Sequence, residues 1–115
     1  MQIEIRSKNI DMTPSLRDYV RRRLSFALGA RAGQIQRVQV MLSDINGPKG
    51  GNDKHCRILV NVPYIKDVVI EDCQTELKGA IDRAAARTSR TLTKRLMKLQ
   101  KIRQVGHHDF PQTAI

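Results

Sequence analysis

The 115-residue chain is short of several things at once. It has no tryptophan, and aromatic residues make up 3% of it: Tyr19, Tyr64, Phe26 and Phe110. Modules that read unpaired bases mainly by stacking need aromatic platforms, so the composition points away from that mode. Only two cysteines are present, Cys56 and Cys73, without C-x-x-C spacing, which argues against a disulfide framework or a zinc module. On a strand His55 and Cys56 would face opposite ways, which also counts against a metal site built on that pair, and both thiols read as buried and reduced. No apolar run approaches the roughly 18 residues of a membrane span. The opening Met1-Gln2-Ile3-Glu4-Ile5-Arg6 does not read as a signal peptide, so a cytoplasmic protein is expected. Catalytic signatures are missing as well: no Ser-His-Asp pattern, no H-E-x-x-H and no Rossmann fingerprint. The carboxylates Asp44, Asp53, Asp67, Glu71 and Asp72 read as loop or strand-end residues, solvated or paired with a lysine. No enzyme activity, cofactor, metal or small-molecule substrate is expected.

Acid is the other scarcity. Eleven Asp and Glu face 21 Lys and Arg, a net charge of +10. A surplus of that size in one small domain implies a polyanionic partner. Its distribution sharpens the point. Segment 13–29 holds Arg17, Arg21, Arg22 and Arg23 against Asp18, and segment 75–104 holds nine basic residues against Glu76 and Asp82. The rest of the chain is balanced.

Periodicity assigns the elements. Residues 2–10 alternate, with Ile3 and Ile5 on one face, as a half-buried strand does. Thr13 suits an N-cap and Pro14 a first helical position, and Leu16, Tyr19, Val20, Leu24, Ala27 and Leu28 mark an apolar stripe that Gly29 should end. Residues 35–43 return to period two, the breaker cluster 44–53 reads as a hairpin loop, and Cys56, Ile58, Val60 and Val62 alternate as a third strand. Pro63-Tyr64 turns the chain and Val68–Glu71 forms a short fourth strand. From Thr75 to Gln104 a long helix carries an apolar stripe (Leu77, Ile81, Ala84, Ala85, Thr88, Leu92, Leu96, Leu99). A second stripe, Arg83, Arg87, Arg90, Lys94, Lys98 and Lys101, lies roughly 145° away from it.

The order β-α-β-β-β-α predicts a two-layer α+β domain over residues 1–104, with a four-stranded sheet, both helices on one face and a flexible tail at 105–115. The other sheet face is left partly open, with Gln39, Ser43, Arg57 and Asn61 on it. The basic stripe spans about 27 Å and could face phosphates on both sides of a nucleic-acid groove. Arg21, Arg22 and Arg23 of the first helix extend the candidate surface. Lys49 and Lys54 could add an auxiliary RNA contact at the Gly-rich loop, which lacks the G-K-[ST] ending of a P-loop. A basic helix lying on a membrane is disfavoured by an apolar side rich in Ala and Thr and without Trp or Phe anchors.

The stretch Met1–Ile10, followed by Thr13-Pro14-Ser15-Leu16-Arg17-Asp18-Tyr19-Val20, then Val38–Asp44, Lys54-His55-Cys56-Arg57 and Ala80-Ile81-Asp82, resembles a family of ribosome hibernation-promoting factors and ribosome-associated inhibitors. That family is also called sigma modulation protein or S30EA-like, and the resemblance covers about residues 1–102. It implies a fold similar to double-stranded RNA-binding domains. It further implies binding to small-subunit rRNA in the mRNA channel near the tRNA sites of stressed or stationary-phase bacterial ribosomes, inhibition of translation by occupancy, and protection of idle ribosomes. Basic helix residues do this in the family; the matching positions are Arg87, Arg90 and Lys94, with Arg83 and Lys98, and Arg21, Arg22 and Arg23 match the first helix's charged face. The 44–53 loop is longer and richer in Gly than in short members, and Arg83–Thr88 carries smaller core residues. The chain ends without the second domain that long members use to pair ribosomes, so direct ribosome dimerisation by this chain is not expected; free in solution, it is expected to be a monomer. Two other readings stand beside this one: a general double-stranded RNA-binding module, and a protein-interaction regulator using the open sheet face through Arg57 or Asn61.

Overall fold

The computed structural model describes residues 1–45 and 53–113, with side chains through Lys101. Four strands, β1 (Gln2–Lys8), β2 (Arg37–Asp44), β3 (Lys54–Asn61) and β4 (Val68–Gln74), form one sheet in the order β1-β2-β3-β4. The helix α1 (Pro14–Leu28) carries the chain from β1 to its parallel neighbour β2, and the remaining pairs are antiparallel. The second helix, α2 (Leu77–Thr113), follows β4.

Register explains the core. Ile5, Val40, Ile58 and Ile70 stand side by side across the sheet, with Ile3, Val38, Val60 and Val68 as the neighbouring row. Because side chains alternate, both rows point to one face. They meet Val20, Leu24 and Leu28 of α1 and Ala80, Ile81, Ala84, Ala85, Leu92 and Leu96 of α2 in a single cluster. Each large aliphatic buried there contributes roughly 1.5–3 kcal/mol. The alanines let α2 lie close over β3 and β4. Thr88 sits in the same core because its hydroxyl donates to the Ala84 carbonyl at 2.7 Å, leaving no orphan polar group.

Thr13 caps α1, its hydroxyl accepting from the Leu16 amide at 3.1 Å, with Pro14 at the first position. Gly29 does not end the helix in a left-handed turn. Its φ of −58° keeps the right-handed course, and the backbone tightens into a 3₁₀ segment, Gly29–Gln34, before β2. The fourth strand is longer than its apolar run suggested and reaches Gln74, paired along its length with β3. The helical backbone of α2 continues through Thr113, across the segment expected as a tail from 105. The Gly-rich stretch at 46–52, with Lys49, lies outside the described residues. No helix among the described residues is long and apolar enough to cross a membrane.

Candidate nucleic-acid interface

The basic residues of α2 divide into two sets by what they touch. Arg87 donates through Nη1 to the Glu71 carbonyl at 2.8 Å and to the Asp72 carboxylate at 3.2 Å, and Arg83 Nε lies 3.6 Å from the same carboxylate. Asp72 is a buried acid, its side chain only 7% exposed, on the core-facing side of β4 next to Cys56. It is not the solvated strand-end residue expected: the alternation Val68, Ile70, Asp72 carries it inward. Burial pushes its carboxyl up. Hydrogen bonds from Gln74 and Arg87 and the charges of Arg83 and Arg87 outweigh that and hold it below the usual carboxylate range. Burial, with the Asp72 charge, pushes the Cys56 thiol up to about 12, so it stays protonated. Arg95, outside the stripe, donates to the carbonyls of Lys66 and Asp67 at 3.1 and 2.9 Å and ties α2 to the turn before β4.

The other set faces outward. Arg90, Lys94, Lys98 and Lys101 are exposed, and among the described residues no hydrogen bond or ion pair occupies them. They follow one line along α2 for about 17 Å. Arg83 and Arg87 continue that line, each with a guanidinium partly engaged by Asp72 and partly exposed.

The three consecutive arginines of α1 cannot share a face, since successive helical residues are about 100° apart. Arg23 turns toward α2, where its Nε donates to Asp82 at 3.1 Å, beside the Tyr19 hydroxyl that donates to the same oxygen at 2.6 Å. That hydrogen bond, with burial, holds the Tyr19 phenol above its ordinary value. Arg22 points to solvent and pairs with Asp18 at 3.2 Å, both exposed, a contact worth little in water. Arg21 is exposed on the flank of α1 away from Arg23. The first helix therefore offers Arg22, and partly Arg23, on the surface they share with Tyr19 and Phe26.

Lys54 stands elsewhere, near the base of the 46–52 stretch. Its ammonium lies 3.1 Å from both Asp44 and Asp53, and those hydrogen bonds hold it above the ordinary lysine value. Asp53 is 1% exposed and its carbonyl accepts from the Ile45 amide at 2.8 Å, so the three residues fasten the two strand ends.

On the open sheet face Arg57 faces Glu71 at 3.7 Å and Asn61 donates to Asp67 at 2.9 Å. A shallow hollow of about 180 Å³ lies there among Arg6, Met41, Arg57 and Leu59. His55 points to this face and its imidazole lies 3.2 Å from the Ser43 hydroxyl, whereas Cys56 points into the core. No group of three or more metal-ligating side chains assembles among the described residues.

A family model described as sigma 54 modulation protein / S30EA ribosomal protein matches residues 3–100. Among solved structures, the fold resembles the N-terminal domain of protein Y from Thermus thermophilus, at 27% identity and a TM-score of 0.67, covering 82% of this chain and 98% of that one. It also resembles a ribosomal subunit interface protein from Coxiella burnetii, with a TM-score of 0.69 at 17% identity, over 82% of this chain and 96% of that one; this second likeness bears on the fold alone. Comparison with curated protein sequences returns no match.

Proposed function

The chain belongs to the sigma 54 modulation protein / S30EA ribosomal protein family, and on that premise we propose that it is a non-catalytic, cytoplasmic ribosome-associated factor that binds rRNA of the small subunit, occupies the mRNA and tRNA channel and stabilises idle ribosomes. The observation that carries the reading is the line Arg90, Lys94, Lys98 and Lys101: four exposed cations on one face, with no acid beside them to neutralise them. Ordinary solvated helix faces mix signs for i,i+4 pairing, and this one does not. Arg83 and Arg87, braced by Asp72, present their remaining N–H groups at the N-terminal end of the same line. Arg22 adds a cation from α1.

Such a surface gains affinity by releasing counterions from phosphates, so binding weakens steeply with salt. The test is cosedimentation with isolated small subunits across a salt series, with excess duplex RNA as competitor. Retention on the subunit supports a defined ribosomal site. Displacement by the duplex would identify a general double-stranded RNA binder, and absence of binding at low salt would reject both.

A further inference from the structure

Phe26 is 84% exposed on α1, and the surface around it is a hollow of about 240 Å³ lined by Tyr19, Arg22, Arg23 and Phe26 itself. Its ring is not an isolated apolar residue on a neutral surface. The Arg23 guanidinium sits 5.6 Å from the ring centroid, and its Nε is held by Asp82 at 3.1 Å. Tyr19 next to it carries the Lys78 ammonium 5.0 Å from its own centroid. An aromatic plane is thus held by a cation–π contact on one side, left accessible over most of its surface, and flanked by two positive side chains, Arg22 and Arg23.

We propose that this hollow is a stacking site for a single unpaired nucleobase, whose flanking phosphates meet Arg22 and Arg23. The inference rests on the reading of the chain as an RNA binder and adds to it a local contact that backbone and shape recognition do not need. A planar, uncharged ring attached to an anionic backbone matches both features of the site: the base lies on the phenyl face that Arg23 leaves open, and the phosphates meet the cations. Arg22 is available for this because its pairing with Asp18 is largely solvent-exposed and worth little. A blunt duplex offers no such base.

Two RNA hairpins of equal length test it, one fully paired and one with an unpaired purine bulge. Phe26→Ala and Phe26→Leu should weaken binding to the bulged hairpin about 5- to 100-fold and leave the paired one unchanged. The salt slope should stay the same, since no phosphate contact is lost. The chain has no tryptophan, so Phe26→Trp supplies a single indole. It should retain affinity and be quenched by the bulged hairpin only. Equal binding of Phe26→Ala and the parent to the bulged hairpin overturns the proposal, as does an equal loss on both hairpins. Unquenched indole with a defect seen only on ribosomal subunits would assign the ring to a protein neighbour and overturn it too. A parent chain that binds neither hairpin nor subunit fails the RNA reading itself. One that binds, responds to charge reversal at Arg90 and Lys94 and ignores Phe26 keeps that reading and loses this site.

Discussion

Arg87 lies 3.2 Å from the carboxylate of Asp72 and donates to the Glu71 carbonyl next to it, so a residue of the basic stripe also braces β4 against α2. That double engagement separates two kinds of charge on one helix. Arg90, Lys94, Lys98 and Lys101 can be altered without touching the fold; Arg87 cannot, whereas Arg83 reaches Asp72 only through a longer, largely exposed ion pair.

Charge reversal should therefore have different consequences along the stripe. Arg87→Glu places a carboxylate against a buried one and removes one of its two hydrogen-bond donors, leaving Gln74, and should lower stability by about 1–3 kcal/mol. Arg90→Glu with Lys94→Glu should change stability by less than about 0.5 kcal/mol, as surface substitutions usually do. Urea melts of the two variants, compared at one pH, decide it.

Asp72 also gives the fold an acid limit. Its carboxyl is held below the ordinary 3.8, so the folded state favours the ionised form. The resulting stability is fully present above that ordinary value and is lost as pH falls through the lower folded value. Asp72→Asn should be less stable than the parent at neutral pH, and the gap should close as pH drops below about 4. A gap independent of pH would remove the carboxylate from the account.

The two cysteines should separate chemically. Cys56 is buried and its thiol is pushed up to about 12, whereas Cys73 lies on the opposite sheet face, half-buried. A thiol-specific reagent at pH 8 should modify Cys73 in the native protein and reach Cys56 only on unfolding. Mass spectrometry of the labelled chain reads this directly.

Core truncation at the helix layer gives the packing prediction. Leu24 and Leu92 are wholly buried, one from each helix. Leu24→Ala and Leu92→Ala should each cost about 2–5 kcal/mol.

The elements were largely legible because the periods were clean: Val38, Val40 and Leu42 alternate, and Leu92, Leu96 and Leu99 recur at helical spacing. Gly29 does mark the end of the α-helix, but not through a left-handed cap, which a glycine permits without requiring; the chain here continues right-handed into a 3₁₀ segment. The stripe of α2 was legible as a face, but its division was not, since the partner of Arg83 and Arg87 is a carboxylate on a different element. One signal was present. Asp72 falls on the apolar phase of its strand, and an acid there needs a cation within reach. The arginine triplet at 21–23 read as a block of charge, yet a helix spreads three consecutive residues around its axis. The sequence shows Phe26 as one of few aromatics but not that it is exposed, because exposure on an otherwise amphipathic helix follows from tertiary packing.

The proposed docking on the small ribosomal subunit depends on the outward half of the α2 stripe. Cosedimentation of Arg90→Glu/Lys94→Glu beside the parent, at low salt and equal thermal stability, tests it most directly. The parent should pellet with the subunit while the double variant stays in the supernatant. A double variant that pellets like the parent would contradict it.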